Sequence, residues 1–250
     1  MTWSRDAAGL TLALVAAAVV VTSDDIVPRE VLRRVPAAAP NDTTPSDLPL
    51  HEVAAAAHGA WLGLMITGDG GWVDANRDLA GALASRGVSV VALDARAYLR
   101  AKRSPDVAAR DVDRVLRHYT TWWARPRVLL VGYSRGADMI PFVANRLPPD
   151  SKARVGLVAL VGLEPRVSFQ FHSTDLVLNH TRPTDLPVLP ELERLRGLRM
   201  LCVYTEDERD SMCRSLDPQL ATPILHGRKH VLKRSSAHEL AEIIVAALPD

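Results

Sequence analysis

Hydrophobic residues along this chain fall into short runs that are separated by amphipathic stretches. Six runs are typical of β-strands, at positions 60–67, 87–94, 127–133, 154–162, 199–205 and 221–227. The inner runs are nearly continuous in Val, Leu and Ile, which is typical of strands buried on both faces of a parallel sheet. A further short run, at positions 48–53, is compatible with an edge strand.

Helical patterns lie between these runs. Asp74 can cap a helix through Arg86, with Gly87 just beyond its end. The other three predicted helices are 104–122 with Pro105 in its first turn, 135–146, and a last helix to about Leu248 that begins with a capping box of Ser236 and Glu239. Strand and helix alternate throughout, so the predicted fold is α/β, with a doubly wound, mostly parallel sheet and helices on both faces.

The N-terminal part of the chain predicts export. Residues 7–21 form an uncharged apolar run after Arg5. The run is at the long end for a signal-peptide core of roughly 7–15 residues and short for a membrane span of roughly 20. We therefore interpret residues 1–23 as a signal peptide or an N-terminal membrane anchor. Residues 24–48 are polar and Pro-rich, as in a flexible linker, and residues 49–250 form one domain.

Composition excludes several classes of function. The net charge is +1 and the basic residues are scattered apart from the runs 96–103 and 228–234, which are typical of solvated faces. The chain therefore lacks the basic footprint of a nucleic-acid-binding protein. No Walker pattern, Gly-x-Gly-x-x-Gly, His-Glu-x-x-His or paired-cysteine spacing occurs, and we expect no metal or cofactor. The cysteines are Cys202 and Cys213. Export permits a disulfide between them, and two free thiols are equally compatible with the sequence.

One motif points to nucleophilic catalysis. The stretch "RVLLVGYSRGADMIPFVANRL" places a predicted strand, Gly-x-Ser-x-Gly and a predicted helix in succession. In a nucleophile elbow the serine occupies a sharp, strained turn, and the flanking glycines remove side chains that would clash there. Ser134 is therefore the candidate nucleophile.

A serine nucleophile needs a base, and the base needs an acid to orient it; in this fold the acid precedes the histidine in the chain. The segment after the 199–205 strand contains four acidic residues, of which Asp207 is the preferred acid. Glu206 and Asp210 are the runners-up, and any of the four, Glu208 included, could be a solvated loop charge. His230 is the preferred base over His226 at a strand end and His238 in the last helix.

The loop "MITGDGGW" after the first long strand is the candidate source of oxyanion-hole donors, because glycines allow the backbone to approach a reacting oxygen. The expected donors are the N–H of Asp69 or Gly70, together with that of Arg135. A plain turn is the alternative for this loop.

These motifs together resemble a known family. "TGDGGW", "LLVGYSRGADMIPFVANRLP", "PVLPEL" and "LCVYTEDERDSMC" are similar to the VirJ/AcvB bacterial virulence proteins, from about Leu48 to the C-terminus. The resemblance implies an α/β-hydrolase fold, a periplasmic location and hydrolysis of aminoacyl-phosphatidylglycerol, chiefly the lysyl form. It implies that Ser134 is the nucleophile, Asp207 the acid and His230 the base. The chain departs from the family pattern at Arg135 and in "GRKHV".

An aminoacyl ester has a cationic amine near its carbonyl group, so a carboxylate near the serine could bind that amine. Asp69 and Asp138 are the candidates, with hydrogen bonding to a neighbouring loop as the alternative for Asp138, and Trp72 is a further candidate substrate contact. The expected partner is an aminoacyl-phospholipid at the membrane surface. The alternatives are an esterase of another acyl ester and a non-catalytic accessory factor of a secretion system.

Overall fold

The computed structural model describes residues 45–176 and 182–250. The predicted export segment and most of the predicted linker lie outside these residues. Residues 45–48, expected as the end of the linker, lie against the domain, since Asp47 forms an ion pair with Arg114. Within residues 45–176 and 182–250, every helix is too short or too polar to span a bilayer.

A mixed sheet of seven strands forms the centre, in the order β1-β3-β2-β4-β5-β8-β9. All neighbouring strands are parallel except the edge pair of β1 and β3. The strands of this sheet are β1 (Leu50–Val53), β2 (Trp61–Ile66), β3 (Ser89–Leu93), β4 (Arg127–Tyr133), β5 (Val155–Val161), β8 (Met200–Tyr204) and β9 (Thr222–Leu225). All seven predicted strands, the edge strand included, are therefore confirmed.

Helices cover both faces of the sheet, and two short strands, β6 (Arg166–Val167) and β7 (Leu186–Pro187), pair beside it. The helices are α1 (Asp74–Ser85), α2 (Ala95–Tyr98), α3 (Pro105–Trp122), α4 (Arg135–Arg146), α5 (Pro149–Lys152), α6 (Leu189–Glu193) and α7 (Arg234–Ala246). Side chains alternate along each strand, so the sheet supplies two apolar layers. One packs against α3 and α4, and the other against α1 and α7.

The local signals for the helix ends are confirmed in part. Asp74 is wrong as the cap of α1, because Val73 occupies the N-cap position and Asp74 is already the first helical residue. Ser104 accepts a hydrogen bond from the Val107 N–H at 3.2 Å and so caps α3 as expected. Gly87 follows α1 with a φ of 88°. The predicted capping box of Ser236 and Glu239 is wrong, because α7 already begins at Arg234, two residues earlier.

Candidate active site

Most of the predicted functional residues meet at one end of the sheet, where the parallel strands end. The loop after β2 brings Asp69, β4 ends directly before Ser134, and the segments after β8 and β9 bring Glu208 and His230. Ligands of open α/β sheets bind outside the carboxyl ends of the strands, because loops from different strands converge there. A cavity of about 460 Å³ opens at this end, and Ser134, Glu208 and His230 line it.

Ser134 occupies a strained turn between β4 and α4. Its φ is 54° and its ψ is −125°, a conformation that non-glycine residues rarely adopt and that is concentrated at active sites. The Ser134 N–H donates to the Val161 carbonyl at 2.7 Å, which fixes the turn on the neighbouring strand. A Cβ on Gly136 would lie 2.0 Å from the Ile66 carbonyl oxygen, and one on Gly132 would lie 2.4 Å from Ala137 Cα. Both glycines of the motif are therefore required by the packing of the turn.

Glu208, and not Asp207, is the carboxylate that contacts the histidine. The Glu208 Oε1 atom is hydrogen-bonded to His230 Nδ1, and its Oε2 accepts the Thr205 N–H at 2.8 Å. The prediction of Asp207 as the acid is wrong in this structure. The Thr205 hydroxyl binds the Asp207 carboxylate at 2.5 Å, and the Asp207 side chain is exposed. Nothing in the four-acid stretch separates Glu208 from its neighbours, so the sequence carried no signal for it.

Glu208 and Tyr133 hold His230 in place. The hydrogen bond to Glu208 raises the pKa of His230, against the opposing effect of burial. Tyr133 packs against the ring, with centroids 5.4 Å apart, and its hydroxyl donates to the His230 carbonyl at 2.5 Å. Burial raises the pKa of Tyr133 to about 12, so its hydroxyl remains a donor at neutral pH. This support leaves Nε2 as the ring nitrogen available for a proton from a nucleophile.

Gly162 makes room for the histidine and its acid. It follows β5 with a φ of 72°, and a Cβ there would lie 2.5 Å from His230 Cε1 and 2.8 Å from Glu208 Oε1. His230 and Glu208 therefore pack directly against the backbone of Gly162. Sequence analysis missed this residue, although a glycine directly after a buried strand was a usable signal.

Two devices hold the loop that carries Glu208. Cys202 at β8 and Cys213 after the loop form a disulfide, with their Cα atoms 5.2 Å apart, and both residues are buried. The bridge that the sequence left open is thus formed. Arg214 donates to the carbonyls of Thr205, Glu206 and Glu208 at 2.9–3.2 Å. The loop is closed at its base and bound along its length by one guanidinium.

The loop after β2 reaches the serine through Gly68. A Cβ on Gly68 would lie 2.9 Å from Ser134 Cβ, so the backbone passes directly beside the nucleophile. The N–H of Asp69, next along the chain, forms no hydrogen bond to the described residues. Gly70 is exposed and does not line the cavity. The N–H of Asp69 therefore remains a candidate oxyanion-hole donor, whereas the N–H of Gly70 does not.

The side chains of Asp69 and Arg135 bind each other. Arg135 Nε and Nη2 donate to the two oxygens of Asp69, at 2.5 and 2.9 Å, and Nη1 donates to the Ser168 carbonyl at 3.0 Å. A fork-shaped ion pair therefore already engages both oxygens of the Asp69 carboxylate, which disfavours this group as the one that binds a substrate amine. The same pair fixes the start of α4 against the loop after β2.

Two other predicted substrate contacts have structural roles. Trp72 stacks on His51 with ring centroids 4.8 Å apart and does not line the cavity. Asp138 lines the cavity but is almost fully buried, and its carboxylate accepts the Glu164 N–H at 2.7 Å. Burial raises the pKa of Asp138 well above its usual range. The structure therefore favours the alternative of a loop contact for Asp138 and gives Trp72 a packing role.

A carboxylate that sequence analysis did not consider lines the cavity. Glu164 follows β5 and is half-buried, and burial together with the nearby Glu208 charge raises the pKa of its carboxyl group. In the described part of the chain this carboxyl group has no hydrogen-bond donor. The other histidines weighed as bases lie elsewhere: His226 Nε2 is hydrogen-bonded to the Ser236 carbonyl at 2.9 Å, and His238 is exposed on α7.

Comparisons with known proteins agree with this architecture. A family model described as "Bacterial virulence protein (VirJ)" matches residues 60–250. No curated protein matches the chain significantly.

Solved structures give the fold. The thioesterase domain from the curacin biosynthetic pathway has a TM-score of 0.54 at 16% identity, over 78% of this chain and 94% of that one. An α/β serine hydrolase homologue from Coxiella burnetii has a TM-score of 0.53 at 17% identity, over 80% and 91%. The esterase domain of a Rhodothermus marinus protein has a TM-score of 0.52 at 18% identity, over 79% and 89%. At such identities these similarities show the fold alone, and they confirm the predicted α/β-hydrolase fold.

Proposed function

This chain belongs to the VirJ family of bacterial virulence proteins, and we propose that it is a serine ester hydrolase that uses Ser134, His230 and Glu208. The observation that carries the proposal is the strained Ser134 turn in the same cavity as a His230 ring bound to a carboxylate. A structural turn has no need of this conformation, of a histidine with a raised pKa beside it, or of a glycine that makes room for that histidine. A nucleophile in an α/β-hydrolase elbow uses the strained turn, and it needs a base that a third group orients.

In the proposed mechanism, Ser134 Oγ attacks the ester carbonyl while His230 Nε2 takes its proton. Glu208 holds the imidazole through Nδ1 and stabilises the imidazolium. The N–H groups of Asp69 and Arg135 stabilise the oxyanion. Collapse breaks the ester bond and His230 returns the proton to the leaving alcohol. Water then attacks the acyl-enzyme by the same route, which releases the carboxylic acid and restores Ser134.

We propose that the ester is that of an aminoacyl-phosphatidylglycerol, such as the lysyl form. The family resemblance supports this, and so does the charge of the cavity. Seven carboxyl-bearing side chains and four arginines line it, and the Arg135–Asp69 ion pair accounts for one of each. The surplus of carboxyl groups favours an acyl group that carries an amine. With Asp69 and Asp138 already bound to protein groups, Glu164 is the carboxylate best placed to receive that amine.

The site of action that we propose is the periplasm. The Cys202–Cys213 disulfide supports this, because disulfides persist in oxidising compartments and are rare in the cytosol.

The test combines active-site labelling with turnover. Wild-type protein is expected to react with a fluorophosphonate probe at Ser134 and to release free lysine from lysyl-phosphatidylglycerol. Ser134→Ala should abolish both. Glu208→Gln should lower kcat on the order of 10³- to 10⁴-fold, because the histidine loses its orienting charge. Asp207→Asn, one residue away, should cost less than about tenfold.

The outcomes separate the competing functions. Absence of labelling in folded wild-type protein would overturn catalysis and favour a non-catalytic accessory factor, the binding role considered from the sequence. Labelling without lysine release would indicate that the protein is an esterase of another acyl ester. Equal losses in Glu208→Gln and Asp207→Asn would contradict the assignment of Glu208.

A further inference from the structure

A second cavity adjoins the proposed active site. It has a volume of about 650 Å³ and lies between the segment after β8 and the segment that joins β9 to α7. Asp207 and Arg209 line both this cavity and the one that contains Ser134. The two cavities are therefore neighbours that share the Glu208 loop as their common wall. No step of the proposed mechanism uses the second one.

The second cavity is basic, in contrast to the first. Its charged lining consists of Arg209, Arg228, Lys229 and Lys233 against Glu206 and Asp207, together with His226. Arg228 pairs with Glu206 at 3.3 Å. The other three cations form no ion pair within residues 45–176 and 182–250. Three unpaired cations around one concave surface repel one another, so an anion bound among them would relieve that repulsion.

An apolar side chain stands in the middle of this basic segment. Val231 lines the cavity between Lys229 and Lys233, and it is 70% exposed. Leu225, at the end of β9 just before the segment, is 56% exposed. Cations interleaved with exposed apolar residues suit an amphiphilic anion, since the charges meet a headgroup while the apolar side chains meet hydrocarbon.

We propose that this second cavity binds the phosphodiester group of a phospholipid, whose ester then enters the neighbouring cavity at Ser134. The identity of that ester rests on the proposed function, whereas the binding of the phosphodiester does not. Lys229 and Lys233 supply the main attraction, Arg209 stands at the wall between the cavities, and Val231 contacts the lipid. Such a subsite would select esters whose alcohol portion carries a phosphate.

Binding is measured in a Ser134→Ala background, so that no outcome depends on turnover. The protein is mixed with vesicles of phosphatidylglycerol or of phosphatidylcholine and sedimented. We expect it to partition onto the phosphatidylglycerol vesicles, and more weakly as salt is added. Each cation near an anionic surface contributes about fivefold to binding, so Lys229→Gln/Lys233→Gln should lower the partition coefficient about 25-fold. Lys229→Arg/Lys233→Arg should retain it, since the charges remain.

The matched control is Lys102→Gln/Arg110→Gln, which removes two exposed cations from the α3 region, outside both cavities. This control should bind as the parent does. Equal losses in the control and the test variant would overturn the proposal, as would absence of binding to phosphatidylglycerol vesicles by the parent. Thermal melting checks that each variant is folded. If the glutamine variant does not fold, the arginine variant still provides a test.

A competition arm distinguishes a lipid headgroup from a free phosphate. Glycerol 3-phosphate is added to the vesicle mixture at millimolar concentration. Displacement that depends on Lys229 and Lys233 would show that the phosphate alone is recognised. Binding that persists would show that the bilayer-borne phosphodiester is required. Displacement of the parent and of the glutamine variant to the same relative extent would contradict a phosphate subsite at these residues.

Discussion

At the scale of single residues, the role of each carboxylate in the site depends on whether another protein group already binds it. Asp207 is bound by the Thr205 hydroxyl and Asp69 by Arg135, so neither carboxylate is available for the role expected of it. Glu208 has one more methylene than Asp207, and it reaches His230 while its second oxygen accepts the Thr205 N–H. The acid of the proposed triad was thus within one residue of the predicted position.

Gly162 provides a test of how closely His230 and Glu208 are packed. We expect Gly162→Ala to lower kcat/KM on the order of 10²-fold, because its Cβ would displace the imidazole from Glu208 and from its position in the cavity that Ser134 also lines. Gly197→Ala is the matched control, since Gly197 also has a positive φ, of 96°, but has no atom within 4 Å of the added Cβ. Both variants carry backbone strain of about 1–2 kcal/mol, so comparable activity in the two would contradict the packing explanation.

The pH dependence of the nucleophile follows from the His230–Glu208 pair. Only neutral His230 can accept the Ser134 proton, and Glu208 raises the pKa of His230. The rate of fluorophosphonate labelling should therefore rise with pH through a midpoint above the ordinary histidine value of about 6.5. Glu208→Gln removes the stabilising charge, so its midpoint should move to lower pH. An unchanged midpoint in this variant would show that another group controls the titration.

At the scale of elements, the loop from Thr205 to Arg214 is the part that the fold must restrain most. It leaves the sheet after β8, carries Glu208 and forms the common wall of the two cavities. The 3₁₀ turn at its end, Met212–Arg214, supplies both Cys213 and the guanidinium that binds three of the loop carbonyls. The loop is consequently a constrained element, although its composition alone is that of a solvated acidic turn.

Removal of the disulfide tests this restraint. Cys202→Ala/Cys213→Ala should lower the free energy of unfolding by about 2–4 kcal/mol, since the unfolded chain regains the freedom of the open loop. It should also lower kcat more than it raises KM, because Glu208 is held less firmly. Urea unfolding and steady-state kinetics measure the two effects. A destabilised variant with wild-type kcat would show that Arg214 is sufficient to position the loop.

At the scale of the whole molecule, buried charge links the site to stability. Asp138 is buried in the wall of the Ser134 cavity, and burial raises its pKa. An acid with a raised pKa in the folded state makes its full contribution to stability below the unfolded pKa, near 3.9, and loses it as pH rises through the folded pKa. The molecule therefore carries the cost of this buried carboxylate at neutral pH.

Asp138→Asn should remove that cost. The amide oxygen can still accept the Glu164 N–H, and no charge is buried. We expect the variant to match the wild type near pH 4 and to be more stable at pH 8, with the difference growing by about 1.4 kcal/mol per pH unit between the two pKa values of Asp138. Chemical unfolding at several pH values measures it. A difference that is constant with pH would contradict the titration of Asp138.

The sequence by itself determined the order of strands and helices, the edge position of β1, and the Ser134 turn with its required glycines. These features depend on the period of apolar residues and on local backbone sterics, which neighbours along the chain fix. It also placed the base at His230, the histidine of the last strand–helix connection that lies in this cavity.

Only the tertiary structure decided which carboxylate is hydrogen-bonded to that histidine, that Cys202 and Cys213 form a disulfide, and that Asp69 forms an ion pair with Arg135. Each of these depends on the distance between residues that are 11 to 66 positions apart in the chain. Sequence spacing does not encode such distances. They follow from how the sheet edge brings its loops together and from which partner reaches each charged group.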